Sequence, residues 1–221
     1  MANDTKIRSD SKLIQFCTEI LNDYIAENTK FVPDVNSNAE KSYHLSPASG
    51  NWNIRQNAHG VSVPVVMLQN EFFLSCSVSF KPKGSKMVFK SISLQFFDVE
   101  KLLFRAEWDN WEIKKEESCK GEDVKQHPQP HWHLGDSKEV GITENVAGSF
   151  QTYIRNSSYK QFEASIRERE KRDLNKLHFF MKMEEGKAQP EYFDLTEEAN
   201  FKEWLRETMR SVDLELSYLS K

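Results

Sequence analysis

The stretch that decides the fold is "EFFLSCSVSF" (71–80), followed after "KPKGSK" (81–86) by "MVFKSISLQFF" (87–97) and, past Asp98, by "KLLFRAEWDNWEI" (101–113). In the first segment Phe72, Leu74, Cys76, Val78 and Phe80 alternate with Ser75, Ser77 and Ser79. A period of two puts each set on its own side of an extended chain, so the segment reads as a strand with one apolar and one polar side. The second segment repeats the pattern, with Ile92, Leu94 and Phe96 against Ser91, Ser93 and Gln95. The third sets Leu102, Phe104, Ala106 and Trp108 against Arg105, Glu107 and Asp109. Alternating segments joined by short turns predict an antiparallel meander with one buried and one polar face.

Outward from the meander, "VSVPVVML" (61–68) reads as a strand that Pro64 confines to an edge or a bulge. Residues 28–60 are polar and carry Pro33 and Pro47. The expectation is a long loop whose Phe31, Tyr43 and Trp52 pack on something. Before it, Leu13, Ile14, Cys17, Ile20, Leu21, Tyr24 and Ile25 recur at helical spacing, with Ser9, Asp10 or Ser11 available as a cap. After the meander come a charged loop over 114–130, a helix carrying Tyr159, Phe162 and Ile166, and "LNKLHFFMKM" (174–183), a strand with a helix as its rival. The chain ends in a helix expected over 195–220, opened by a capping box of Asp194 and Glu197. Its stripe is Phe201, Trp204, Leu205, Met209, Val212, Leu216 and Leu219, which docks on the protein's own sheet or on a partner. The fold class is therefore α+β. A single domain over 1–221 is expected, with a five- or six-stranded, mostly antiparallel sheet between an N-terminal and a C-terminal helix.

Thirty basic and 34 acidic residues are interspersed and leave a net charge of −4. That mixture gives no general drive toward nucleic acid or an anionic bilayer. No apolar run approaches the roughly 20 residues a membrane helix needs, and "MANDTKIRSDSK" (1–12) is not a hydrophobic leader. Cys17, Cys76 and Cys119 are odd in number and far apart, which suggests no disulfide framework and a cytoplasmic protein.

Half of the six histidines fall within "KQHPQPHWHLGD" (125–136), as His127, His131 and His133. Two imidazoles at i and i+2 on a strand share a face, a sensible way to offer ligands to a divalent metal such as zinc. If "HWHL" is extended with Trp132 and Leu134 toward the core, His131 and His133 join Arg105, Glu107 and Asp109 on the polar face. His178, opposite Leu177 and Phe179, would point the same way. Such a set suits a two-histidine, one-carboxylate metal site, or metal-free acid–base chemistry on a phosphodiester held by Arg105. It also describes the ordinary solvated face of an antiparallel sheet.

The spacing fits neither the histidine-triad hydrolases nor the cupins: Gly135 stands where a third alternating histidine would fall, and Glu139 follows His133 after five residues. Cys119, among Glu116, Glu117, Glu122 and Asp123, is a poor nucleophile because negative neighbours disfavour the thiolate. "REREKRD" (167–173) balances its charges and reads as a solvated helix face, and Gly-rich phosphate loops are absent. The leading expectation is a binding or assembly subunit without catalytic activity, engaged with a protein partner or with its own copies. The alternative is a small hydrolase acting on a phosphodiester or nucleotide through His131, His133 and Glu107 or Asp109.

Overall fold

The structure, a computed structural model, describes residues 6–7, 9–34, 40–50, 53–56, 61–84, 86–98, 101–110, 112–113, 130–134 and 194–219. The expected helix carrying Tyr159, Phe162 and Ile166, the strand at 174–183 and most of the charged loop lie outside them.

The meander forms as its alternation requires. Strands β6 (Phe73–Lys83), β7 (Lys86–Asp98) and β8 (Lys101–Asp109) pair antiparallel in sequence order. Gly84, at φ +63°, makes the β6–β7 turn in a conformation that an L side chain adopts only with strain. A fourth strand, β9 (His131–Leu134), adds antiparallel to β8.

Residues 28–60 are not one long loop. β1 (Thr29–Pro33) and β2 (Lys41–Pro47) pair with each other, and β2 continues onto β6. β3 (Asn53–Gln56) forms a separate two-stranded ribbon with β4 (Val61–Pro64). Both prolines that argued for a loop stand at the last residue of a strand, where a missing N–H costs least. The main sheet runs β1-β2-β6-β7-β8-β9, with the two-residue β5 (Val66–Met67) also on β6. The single strand expected over 61–68 is split: Pro64 ends β4 in the ribbon, and β5 begins two residues later on the main sheet.

Two register shifts correct the simple alternation. Between Ser79 and Phe80 the β6–β7 ladder gains one residue, Lys90, so that Phe89 faces Phe80 in the core while Ser91 stays opposite Ser79. Between Phe96 and Phe97 the partner jumps from Phe104 to Leu102. Leu102 therefore leaves the main core, where the sequence had placed it, and Leu103 joins that core instead. A bulge resets parity beyond it, which strict period-two counting cannot anticipate.

Helix α1 (Asp10–Leu21) begins at Ser9, whose side chain accepts from the Lys12 amide. It buries Leu13, Phe16, Cys17, Ile20 and Leu21. Helix α2 (Glu198–Leu219) buries Phe201, Trp204, Leu205, Met209, Val212 and Leu216. The expected capping box does not form: the Asp194 side chain accepts from the Thr196 amide in an Asx turn, ahead of a helix that starts at Glu198. The Ile7 amide donates to Thr196 at 2.7 Å, tying the N-terminal segment to the approach of α2.

Both helices pack on the same side of the sheet, in one cluster with Leu74, Cys76, Val78, Phe80, Phe89, Ile92, Leu94, Phe96, Phe104, Ala106 and Trp108. Phe89 stacks on Trp108 at 4.9 Å and meets Phe201 of α2 edge-on at 5.7 Å. Each such side chain contributes about 2 kcal/mol by leaving water, so this face holds the fold together. Cys17 and Cys76 are free and buried in it as small hydrophobes. Burial, then the hydrogen bond with Cys76, raises the Cys17 thiol well above its ordinary range. No helix among the described residues is long and apolar enough to cross a membrane.

Candidate functional site

The second side of the sheet is divided. At one end Phe73 and Phe97 turn toward it and are covered by Ile54 of β3, with Val65, Val63, Met67 and Leu102 around them. Away from that small cluster the face is polar across five strands.

The ladders arrange this polar region in three rows. One runs Ser42, Ser79, Ser91, Asp109 from β2 to β8. The next runs His44, Ser77, Ser93, Glu107, His131 from β2 to β9. The third runs Ser75, Gln95, Arg105, His133 from β6 to β9. Short hydroxyl side chains occupy most of β6 and β7, and longer charged or imidazole-bearing residues flank them on β2, β8 and β9. By side-chain length the middle of the face is its low ground, a trough with a serine floor between β2 and β8. Ser77 is exposed, Ser79, Ser91, Ser93 and Gln95 are half-buried, and Ser75 is buried next to the apolar cluster.

Hydrogen bonds knit the floor to its wall. Ser79 Oγ and Ser91 Oγ lie 2.6 Å apart, and Ser93 Oγ donates to Glu107 Oε1 at 3.0 Å. Gln95 Nε2 reaches back to Ser93 Oγ at 3.5 Å. Arg105 Nε stands 3.0 Å from Glu107 Oε2 as an ion pair. That nitrogen is sealed from solvent and has no aligned hydrogen bond, so charge proximity alone holds it there. On the opposite wall His44 Nδ1 lies 2.7 Å from Asp34 Oδ1.

Arg105, Glu107 and Asp109 follow one another at every second residue of β8, on the polar face. His131 stands directly across from Glu107, and His133 directly across from Arg105. Trp132 between them pairs with Ala106 and packs against the core, with its ring 5.8 Å from that of Phe104. Alternation along β9 therefore assigns positions 131 and 133 to the polar side. His127, His178 and Cys119 lie outside the described residues. Among the described residues no three His, Cys, Asp or Glu groups gather to hold a metal. The sequence reading placed Ser75, Ser77, Ser79, Ser91 and Ser93 on the polar face but did not join them in one site, and it missed Ser42 and His44.

A different hollow, of about 550 Å³, opens at the β6–β7 turn end between Lys6, Lys86, Phe89, Asn110 and Asp194. Its polar centre is already used. Asn110 gives its side-chain N–H to Phe89, takes the Glu112 amide and sends its own amide to Lys90. That asparagine anchors the strand end.

No family model, curated protein or solved structure matches the chain. The trough and its β8–β9 wall are therefore read from their chemistry alone.

Proposed function

We propose that this protein is a cytoplasmic, non-catalytic binding subunit that takes a polar partner or ligand in the serine-floored trough. The observation that carries the reading is the asymmetry of the sheet. Two helices occupy one face, while the other keeps three rows of hydroxyl, amide and charged groups partly open to solvent. Such a surface offers hydrogen-bond donors and acceptors on several strands, which suits a polar, hydrogen-bonding ligand. Ser77→Trp fills the exposed centre of the floor. Wild-type protein purified without a tag is expected to carry a defined ligand or partner that this variant loses, with thermal stability unchanged. Equal retention by the variant, or a wild type with nothing bound, overturns the proposal.

A second reading has its own observation. The β8–β9 register sets His131 against Glu107 and His133 against Arg105, and this grouping suits a hydrolase for phosphodiesters or nucleotides. General acid–base catalysis contributes about 10²–10⁴-fold. Hydrolysis of bis(p-nitrophenyl) phosphate that falls by that factor in His131→Ala supports an enzyme; a rate at the buffer level removes it.

A further inference from the structure

We infer that Ser77 is an acyl acceptor with His44 as its base and Asp34 as the positioning residue, so that the ligand of the trough is a carboxylic acid activated as an ester or thioester. This rests on the trough being the binding surface and names the chemistry of its β2–β6 side.

Asp34 directly follows β1, and its amide donates to the Ser42 carbonyl at 2.9 Å, which keeps it in the ladder. Its Oδ1 lies 2.7 Å from Nδ1 of His44 across the β1–β2 pair. An ionised carboxylate only accepts, so Nδ1 carries the proton, and Nε2 of the neutral ring keeps its lone pair. With Nδ1 turned to Asp34, Nε2 is the nitrogen left to the trough. Among the described residues no hydrogen bond engages it, and the side chain is 22% exposed.

Ser77 is the direct partner of His44 on β6. Such partners share a face, with Cβ atoms about 4.5–5.5 Å apart. Ser77 is exposed, and among the described residues no hydrogen bond occupies its hydroxyl. Its neighbours Ser79 and Ser93 are committed to Ser91 and Glu107. A carboxylate, an imidazole and a free hydroxyl in that order form the arrangement that activates a serine. The His44–Ser77 bond itself is not made here, as is common before a substrate tightens such contacts.

The surroundings decide the class of ligand. The backbone around Ser77 lies in the β2–β6 and β6–β7 ladders, so its amides are not free to hold an oxyanion. The centre therefore needs a good leaving group and stops at acylation. Phosphoryl transfer relies on adjacent cations, and Arg105 stands two strands away, roughly 10 Å. In the acyl step, Ser77 Oγ attacks the carbonyl carbon and its proton passes to His44 Nε2. The bond to the leaving oxygen or sulfur breaks, His44 returns the proton to that atom, and Ser77 is left acylated.

The test incubates the full chain with p-nitrophenyl acetate and maps acetyl groups by peptide mass spectrometry. Acetylation of Ser77 is expected, at a rate that falls about 10²-fold or more in His44→Ala. His44→Asn keeps a donor for Asp34 but has no base, so it should lose as much, and it carries the comparison if His44→Ala does not fold. Asp34→Asn should slow the reaction and Asp34→Glu should restore it. No acetyl group on Ser77, or a wild-type rate in either His44 variant or in Asp34→Asn, overturns the inference. Ser77→Trp separates it from the broader reading. If that variant loses the native ligand while Ser77 of the wild type takes no acetyl group, the acyl assignment alone fails. If Ser77 is acetylated through His44 while Ser77→Trp keeps all that the wild type carries, the trough reading fails instead.

Discussion

Strand β6 shows two kinds of specification in one segment. Leu74, Cys76 and Val78 face the helices and are buried, while Ser75, Ser77 and Ser79 face the other way. The first set is dictated by the hydrophobic effect: each position must exclude water beneath α1 and α2 and fill the volume left to it. The second set has no such necessity. An outward sheet face chosen for stability alone would favour Thr, Val or Tyr, whose side chains pack better on a pleated surface. Six serines across three strands give up that stabilisation. The difference teaches that the helix-covered face carries the fold, and that sheet stability alone does not select the serine face.

The largest effect expected from this contrast is on the covered face. Trp108, fully buried and stacked on Phe89, should cost about 4 kcal/mol on truncation to alanine. Ser93→Ala, across the sheet, should stay below about 1 kcal/mol, since its hydrogen bond to Glu107 is only part-buried. Urea unfolding of the two variants checks the ratio, and equal losses would erase the distinction between the faces.

Next comes the turn that sets the β6–β7 register. Gly84→Ala meets no neighbouring atom, so its cost is the backbone conformation alone, about 1 kcal/mol in the same assay. A neutral result would mean that the turn relaxes without altering the rows.

A comparable effect belongs to Tyr43, whose ring packs edge-on against Phe80 and whose hydroxyl donates to Asp10 Oδ2 at 2.7 Å. Burial, then the bond to Asp10, pushes this phenol up to about 12. Because the folded value is raised, the contribution is full below the ordinary tyrosine pKa of about 10. It is lost as pH climbs through the folded value. Asp10 behaves oppositely: the Tyr43 hydrogen bond chiefly lowers its pKa, so its contribution is present at neutral pH and fades in acid. Tyr43→Phe should cost about 1 kcal/mol near neutrality and delete the phenolate absorbance step near pH 12.

The smallest effect is the most pointed. Ser77→Thr, at an exposed position on the serine floor, should raise stability by a few tenths of a kcal/mol, about 0.3. A fall in stability would mean that serine is the sheet's own preference, and the argument from the floor would collapse.

The meander and both helices were legible because period-two and helical spacing report burial directly. β1 and β2 were not, because Tyr43 and Leu45 alternate within a polar, proline-bounded stretch that resembles a loop. Leu102 was assigned to the wrong cluster because a bulge changes parity without marking the sequence. Within the candidate site, the spacing of Arg105, Glu107 and Asp109 was legible, as was the alternation of His131, Trp132 and His133. Their pairing was not, since register depends on which strands meet. His44 reaches the same rows through β2, a strand the sequence concealed.

The most direct test of this account is the register of β9 on β8. Cysteines introduced in pairs report it, because cross-strand partners lie within disulfide reach and shifted pairs do not. Under mild oxidation, with peptide mapping to separate the native thiols, Glu107→Cys with His131→Cys should cross-link readily, as should Arg105→Cys with His133→Cys. Cross-linking of Arg105→Cys with His131→Cys, in place of either matched pair, would contradict the register and with it the site.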